Sequence, residues 1–288
     1  REKIMASMYK NISEILEDVS AGRLTPEQAD AEIEQLHSEQ PVNDAQGIPF
    51  EHTEQIPHAE QAKAQGSAAQ RPSRSSVSGI FSSTITFDVD GNVSGIIGGG
   101  IAPGVHIGGK VDGMLGGGIG DGAQIDGNIS GTVGGSIGRE VIIRGKVSGP
   151  IGGGIGKGAE IRGDLDGPVG GNMDGHVLGR ICGPIGGNLT GTVDKDVLAP
   201  IGGNMSGEIR GNLGNERTRT KRMLGGDLRG HVGGSVFGKV MGDVTGTVDG
   251  DVTEIKGDIA PGAVIKGRVD RLHGKNNGTV MGGIVRMG

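Results

Sequence analysis

The sequence contains no tryptophan, and only one tyrosine, four phenylalanines and one cysteine occur among its 288 residues. With so few aromatic side chains, a conventional globular core built around aromatic anchors is not expected. The single cysteine, Cys182, excludes an internal disulfide framework and fits a reducing compartment. We therefore expect a cytoplasmic protein, with contact to a membrane surface or a position outside the cell left open. No run of eighteen apolar residues indicates a membrane-spanning helix.

The sequence also lacks motifs that would indicate an enzyme. Gly156 and Lys157 come closest to a phosphate-binding loop, but the next residue is Gly158 instead of serine or threonine. The histidines of the glycine-rich region are scattered, without a carboxylate or cysteine at metal-ligand spacing: His106, His176, His231 and His273. We therefore predict no catalytic residues, no cofactor and no metal, and we expect that the protein is not an enzyme.

Glycine is what the sequence has in excess, at 62 of 288 residues. From Val89 to Leu213 an apolar residue recurs at every fourth position, and a glycine follows most of them two residues later. Neither an α-helix nor a half-buried strand produces this period. The absence of a strict Gly-X-Y triplet excludes a collagen helix. A fixed register of this kind indicates a stacked repeat protein.

The apolar positions group into coils. In the first half of the repeat region, blocks of four apolar residues recur every eighteen positions, because two extra residues separate Ile101 from Ile107. From Val169 this slip is absent, and the motif at Ile185 recurs sixteen residues later at Ile201. The pattern predicts a parallel β-solenoid with coils of 16–18 residues and four inward aliphatic side chains per coil. About two hundred residues would form roughly twelve coils and a rod of about 60 Å.

Three regions follow one another along the chain. Residues 1–38 have an amphipathic pattern interrupted at Gly22 and restarted at Thr25-Pro26, which predicts an α-helical hairpin. Residues 39–78 show no periodicity, which predicts a disordered linker, and residues 79–288 form the predicted solenoid. The formal charge is −6 in residues 1–78 and zero in residues 79–288. A balanced solenoid does not attract nucleic acid over long range, and it permits self-association.

One segment interrupts the solenoid period, between Leu213 and Leu224. Residues 214–223 supply no regular inward positions and are predicted to project as a loop from one coil. The basic side chains of this loop are candidates for contact with an anionic partner: Arg217, Arg219, Lys221 and Arg222. A solvated loop without a partner is the alternative interpretation.

Two local motifs near the end of the solenoid, Gly257-Asp258-Ile259 and Gly262-Ala263-Val264-Ile265-Lys266-Gly267, accompany the stacked aliphatic coils. In these features residues 85–285 resemble bactofilins, which are bacterial β-helical cytoskeletal proteins that polymerise end to end without nucleotide. The resemblance implies that this chain also forms polymers. The segment Leu24-Thr25-Pro26-Glu27 is similar to the helical hairpins that precede β-solenoid domains in other bacterial proteins, and implies a cap, a dimerisation element or a partner site.

The functional expectation is a non-enzymatic scaffold that self-assembles through the ends of its solenoid into a filament or lattice. The candidate assembly edges are Ile85, Val89 and Val93 at one end and Val280, Ile284 and Val285 at the other. The expected partners are further copies of the chain and, through the hairpin, another protein, but no specific nucleic acid. A surface adhesin presenting polar rows such as Thr190-Gly191-Thr192 is the first alternative. A left-handed β-helix acyltransferase is less favoured, because it requires a period of six.

Overall fold

The computed structural model describes residues 71–288, which form a parallel β-solenoid. Thirteen successive coils each place one strand in the same parallel sheet. The only helix in the described residues is a single 3-10 turn at Glu216–Thr218. The prediction of an all-β solenoid is therefore confirmed for this part of the chain. The predicted hairpin at 1–38 and the predicted linker up to residue 70 lie outside the described residues.

The strands are short, because each side of a coil is only a few residues long. In chain order they are β1 (Ser73–Arg74), β2 (Ile80–Phe81), β3 (Asp88–Val89), β4 (Ile96–Ile97), β5 (His106–Ile107), β6 (Met114–Leu115), β7 (Gln124–Ile125), β8 (Ile142–Ile143), β9 (Glu160–Ile161), β10 (His176–Val177), β11 (Thr192–Val193), β12 (Glu208–Ile209), β13 (Arg222–Leu224), β14 (His231–Val232), β15 (Val236–Val240), β16 (Thr247–Val248), β17 (Val252–Ile255), β18 (Val264–Ile265), β19 (Val269–Leu272) and β20 (Thr279–Val280). A three-stranded sheet contains β2, β4 and β6, and a four-stranded sheet contains β13, β15, β17 and β19. The other thirteen strands form the long sheet.

Four apolar side chains per coil point inward, one from each side. In one representative coil they are Ile143, Val147, Ile151 and Ile155, all at most 1% exposed. Each pairs with the equivalent residue of the next coil, so the core consists of four continuous columns. The apolar residues recur at every fourth position because four residues separate the inward position on one side of the coil from that on the next side. Burial of each aliphatic side chain contributes about 2 kcal/mol, and the columns are the main source of stability.

We name the core columns A to D in chain order. Column A runs from Val89 to Val280, column B from Val77 to Ile284, column C from Phe81 to Met287, and column D from Ile85 to Ile259. Strands of the long sheet supply column A. The two smaller sheets supply the two ends of column C, whose middle part from Leu115 to Leu224 is joined by isolated bridges. Columns B and D are joined mainly by isolated bridges.

Between β3 and β12, coil length depends on the corner between columns D and A. Strand β8 follows β7 by eighteen residues, whereas β11 follows β10 by sixteen. In the longer coils a tight turn fills this corner, as at Pro103-Gly104, where Gly104 has a φ of +67°. The turn closes with a hydrogen bond from the Val105 N–H to the Ala102 carbonyl, and Val105 adds a fifth buried side chain to the coil. Proline followed by a glycine of positive φ is typical of a type II turn.

Glycine occupies the corner after column C from Gly98 to Gly225. A Cβ placed on Gly152 would overlap the carbonyl oxygen of Gly134 in the preceding coil, so only glycine fits. Proline precedes column C in four successive coils, at Pro150, Pro168, Pro184 and Pro200. These prolines are exposed, and their carbonyls accept hydrogen bonds from the preceding coil, as from Val133 to Pro150. The missing N–H therefore interrupts no bond on this side of the coil.

Polar side chains link the coils outside the core. Just before column D, Asn188 Oδ1 accepts a hydrogen bond of 2.8 Å from the backbone N–H of Asn204 in the next coil. Asp227 and Asp243 repeat this bond farther along, at 2.9 Å. A similar ladder precedes column B, where Asp196 Oδ1 accepts from the N–H of Asn212. These side chains satisfy corner N–H groups that the short strands leave unpaired.

The solenoid begins earlier than the predicted boundary at residue 79. Strand β1 pairs with β3, and Val77 pairs with Val93 and is buried. Serine and arginine dominate residues 71–78, and Val77 is the single inward apolar residue among them. One apolar residue is too few to show the period of four, so the sequence did not indicate a coil here. The linker prediction is therefore wrong for the residues from Ser73 onward. The count of roughly twelve coils is likewise corrected to thirteen, which at about 4.8 Å per coil span roughly 60 Å.

Candidate functional site

The face that flanks column C changes character along the solenoid. In four successive coils, proline stands before the inward residue and glycine after it, at 150/152, 168/170, 184/186 and 200/202. In the last coils the positions immediately before column C are charged instead: Lys239, Glu254, Arg271 and Arg286. Arg222 stands two residues before Leu224 and pairs with Lys239 across a register shift. Together these residues form what we call the charged column: Arg222, Lys239, Glu254, Arg271 and Arg286. The positions after column C become Met241, Lys256 and His273.

Longer strands account for this change. β15 extends from Val236 to Val240 and therefore crosses the corner between columns B and C. In β17 the inward residues Val252 and Ile255 are only three apart, so one corner residue is missing and the chain stays extended. An extended strand directs side chains away from the neighbouring coil, and the corner no longer requires glycine. Charged side chains can therefore occupy this face.

Glu254 is the most buried charged side chain at the centre of the charged column, with an exposure of 6% for the residue. Its carboxylate accepts hydrogen bonds from Lys256 Nζ at 2.8 Å and from His273 Nε2 at 3.0 Å. Lys239 Nζ lies 3.7 Å away on the other oxygen. Burial opposes ionisation of Glu254, but the hydrogen bonds from Lys256 and His273 and the nearby charges outweigh it and lower its pKa. The carboxylate thus holds three cationic or titratable side chains together.

The segment 214–223 folds back against the solenoid instead of projecting as a loop, so that prediction was wrong. Asn215 caps the 3-10 turn by accepting from the Arg217 N–H, and Thr218 is buried. The Thr218 hydroxyl donates at 2.8 Å to the carbonyl of Phe237 in the next coil. The end of the segment then enters strand β13 and rejoins the stack. Buried polar bonds of this kind fix the segment to the coil.

Arg219 joins this segment to the last coils. Its guanidinium binds the carboxylate of Glu216 and donates a further bond of 3.2 Å to Asp270. The guanidinium also lies over the ring of Phe237, 5.5 Å from the centroid. The hydrogen bond from Arg219 lowers the pKa of Glu216. Arg219 is therefore a structural cation whose charge is already balanced.

A cleft of about 440 Å³ lies between the 3-10 segment and the charged column. Its lining comprises Arg219, Thr220, Lys239, Thr253, Glu254, Asp270, Arg271, Val285 and Arg286. Hydroxyl groups and cations predominate among these side chains. The volume falls in the range of small-molecule sites. The cleft is therefore the candidate site that the described residues best define.

The four predicted basic side chains have different surroundings. Arg219 lines the cleft and is paired, while Arg222 stands at the start of the charged column. Arg217 and Lys221 are exposed and do not line the cleft. Sequence reasoning missed Lys239, Arg271 and Arg286 as members of this group, because they come from three other coils. The loss of the proline and glycine flanks around column C was the signal that could have indicated them.

The predicted assembly edges are only partly at an edge. Val89 and Val93 are fully buried in the second described coil, so their selection as edge residues was wrong. Ile85 belongs to the first described coil, but it is buried as well. The predicted set resulted from placing the first coil one repeat too late. In the described residues, strand β1 and the bridge at Val77 precede it.

At the other end, the predicted edge residues lie in the last described coil, and their role in assembly stays a prediction. Val280 and Ile284 stand at the last positions of columns A and B and are half-buried. Met287 ends column C with 62% exposure. Val285 is equally exposed but faces the cleft instead of the core. One side of strand β20 carries no neighbouring strand among residues 71–288.

The histidines are not scattered in space, contrary to the expectation from sequence. His106, His176 and His231 occupy the same outward position beside column A. Each contacts an aspartate of the following coil, at 3.1 Å, 2.8 Å and 3.3 Å respectively. The different coil lengths hid this alignment. Residues 71–288 contain no group of three or more histidine, cysteine or acidic side chains suited to a metal ion.

Cys182 occupies an ordinary outward position next to column B. Burial raises the pKa of its thiol, and a hydrogen bond with Asp166 raises it further. A thiol with a raised pKa is a poor nucleophile at neutral pH. The side chain therefore resembles the serine that this position carries in other coils, such as Ser148.

Comparisons with known proteins provide no relative from which a function could be transferred. No protein-family model, no curated protein and no solved structure matches the chain. The resemblance to bactofilins therefore stays a prediction. Within residues 71–288, no helix has the length and apolar character needed to span a membrane.

Proposed function

We propose that the protein is a non-enzymatic structural scaffold whose solenoids stack end to end through paired coils. The observation that supports this most directly is the last coil, which continues columns A, B and C in register and leaves Val280, Ile284 and Met287 partly exposed. A parallel edge strand with accessible backbone groups is a template for another strand of the same kind. A head-to-tail contact of this type repeats without closing and produces a filament.

Charge does not provide the attraction between the two ends. Residues 71–213 contain eleven Lys or Arg and thirteen Asp or Glu, so their formal charge is −2. Residues 214–288 contain twelve Lys or Arg and eight Asp or Glu, which gives +4. The first described coil carries Arg71 and Arg74 and no acidic residue before Asp88, and the last coil carries Lys275 and Arg286. The proposed contact therefore depends on apolar side chains and edge backbone groups.

Sedimentation velocity of the 288-residue chain over a range of concentrations tests the proposal. We expect species larger than one chain to increase with concentration. Ile284→Lys places a charge in the last coil of column B and should leave a single small species. Val285→Lys adds the same charge at the adjacent outward position and is the matched control.

The proposal fails if the wild-type chain sediments as a single species at every concentration. It fails equally if Ile284→Lys and Val285→Lys change the association to the same extent, because the contact would then lie elsewhere than at the inward positions. Circular dichroism of both variants establishes that the β-solenoid is retained.

The adhesin alternative receives no specific support from the described residues. Thr192 and Thr247 occupy the same outward position beside column A, but Glu208 and His231 stand between them in the intervening coils. A continuous threonine row is therefore absent at this position.

A further inference from the structure

The cleft beside the charged column contains more positive charge than its own acidic side chains neutralise. Its two lining carboxylates are already engaged: Glu254 with Lys256 and His273, and Asp270 with Arg219 at 3.2 Å. Asp270 also forms an ion pair with Arg268, whose Nε lies 3.0 Å from Oδ1. Because these acids are satisfied within the wall of the cleft, they are poor competitors for the remaining cations.

Two arginines of the lining have no such partner. Among the described residues, no carboxylate lies within 4.0 Å of the guanidinium nitrogens of Arg271 or Arg286, and both side chains are exposed. The two residues occupy the same outward position in adjacent coils, because their neighbours Leu272 and Met287 pair. Adjacent positions across parallel strands are about 4.8 Å apart. This separation allows two guanidinium groups to contact one tetrahedral oxyanion.

Further donors border the same space. Lys239 supplies a third cation, held by Glu254 at 3.7 Å, and the hydroxyl groups of Thr220 and Thr253 line the cleft. Guanidinium groups bind phosphate through two parallel hydrogen bonds, and hydroxyl groups complete such sites. A cleft of about 440 Å³ accommodates a phosphate group together with a small attached group.

We propose that this cleft binds a phosphate group, with Arg271 and Arg286 as its principal ligands and Lys239 as the supporting cation. The phosphate can belong to a soluble phosphomonoester or to a lipid headgroup, since both present the same oxyanion. The inference is independent of end-to-end assembly, because the side chains involved point outward from the stack.

Calorimetric titration with inorganic phosphate, at constant ionic strength and at a protein concentration giving a single sedimenting species, tests the site. We expect saturable binding that weakens at least tenfold in Arg271→Ala/Arg286→Ala. The variant Arg271→Lys/Arg286→Lys keeps the positive charge but lacks the planar guanidinium group that binds phosphate through two parallel hydrogen bonds. It should lose less affinity for phosphate than the alanine variant does. Arg144→Ala/Arg162→Ala is the matched control, since these arginines also stand in adjacent coils but are paired with Asp126 and Glu160.

Two further titrations identify the source of the phosphate. Binding to phosphatidylcholine vesicles with and without phosphatidic acid tests whether the site takes a lipid headgroup. Binding of glycerol phosphate tests whether it takes a soluble phosphate ester. Vesicle binding that requires both arginines and is displaced by phosphate supports the lipid source. Binding of glycerol phosphate alone supports the soluble source. Absence of phosphate binding in the wild-type chain, or equal binding in the cleft and control variants, would overturn the proposal.

Discussion

The coils of residues 89–209 and those of residues 213–288 have the same core but different outer faces. In both regions the inward residues of all four columns up to Leu272 are at most 2% exposed. In the first region, glycine follows column C in every coil, proline precedes it in four coils, and the strands are two residues long. In the second region, the strands of the four-stranded sheet reach five residues and present a cleft lined by cations.

The comparison shows that the core and the outer face are separate requirements. Four aliphatic columns suffice to stack the chain, whatever the outer face carries. Glycine corners bring the coils close together but leave no side chain for chemistry. Where the strand extends through the corner, as at Glu254 and Lys256, the same position can carry a charged group. The second region has therefore gained a candidate site without loss of stacking.

The largest expected effect tests the shared core. Ile143→Ala in the first region and Ile255→Ala in the second each remove a fully buried side chain from a continuous column. We expect each to lower the free energy of unfolding by about 2–5 kcal/mol, because the rigid stack cannot close the cavity. Urea unfolding followed by circular dichroism measures this loss. A large effect at only one of the two sites would show that the regions do not share one cooperative core.

The second prediction tests the corner after column C. Gly152→Ala forces a Cβ against the Gly134 carbonyl and should lower stability by about 1–3 kcal/mol. Met241→Ala at the equivalent position of the second region should change it by less than about 0.5 kcal/mol, because Met241 is 40% exposed. Thermal unfolding of both variants gives the comparison. Equal losses would contradict the distinction between the two types of corner.

The third prediction concerns the buried carboxylate of the second region. Glu254→Gln removes the charge that holds Lys256 and His273, and should cost about 1–2 kcal/mol at neutral pH. Glu160→Gln is the control, because its pair with Arg162 is exposed and should contribute less than about 1 kcal/mol. Urea unfolding at pH 7 measures both losses. A loss in Glu254→Gln no larger than that in the control would contradict the structural role assigned to Glu254.

The pH dependence of the same variant has a definite sign. The folded pKa of Glu254 lies below its usual value of 4.5, so its stabilising contribution is fully present above that pH. The contribution is lost as the pH falls through the lowered folded value. Glu254→Gln should therefore lose less stability between pH 5 and the acid range than the wild type does, as measured by unfolding at a series of pH values. Parallel stability curves for the two proteins would contradict this assignment.

The smallest expected effect lies at one turn of the first region. Glu140 has a φ of +54° at the turn position that Gly104, Gly122 and Gly158 occupy in neighbouring coils. Glu140→Gly should therefore stabilise the chain by about 0.5–1 kcal/mol, since glycine adopts positive φ without strain. Arg139→Gly, one residue earlier, lacks this relief and should be neutral or destabilising. The melting temperature measured by calorimetry should rise relative to the wild type in Glu140→Gly and should stay unchanged or fall in Arg139→Gly.

Much of the core could be predicted, because its signal is local. The period of four identified Ile143, Val147, Ile151 and Ile155 as inward residues, and the slip at Ile101–Ile107 corresponds to an observed turn. These features depend only on neighbouring residues. The position of the first coil could not be predicted as well, since Val77 lies alone among polar outward side chains.

The candidate site was largely hidden from the sequence, because its residues come from different coils. Arg219 was selected for its basic neighbours, but its partners Glu216 and Asp270 depend on how the 3-10 segment packs. Arg271 and Arg286 become neighbours only when the pairing of Leu272 with Met287 is known. Val269 and Leu272 are three residues apart instead of four, so the period of four does not predict this pairing.

Electron microscopy of the purified 288-residue chain tests the central claim most directly. End-to-end stacking predicts unbranched filaments of constant width, with an axial repeat per chain of at least about 60 Å, the length of thirteen coils. The Ile284→Lys variant should yield only short single rods under the same conditions. Single rods of the wild-type chain at the highest concentrations would contradict the account.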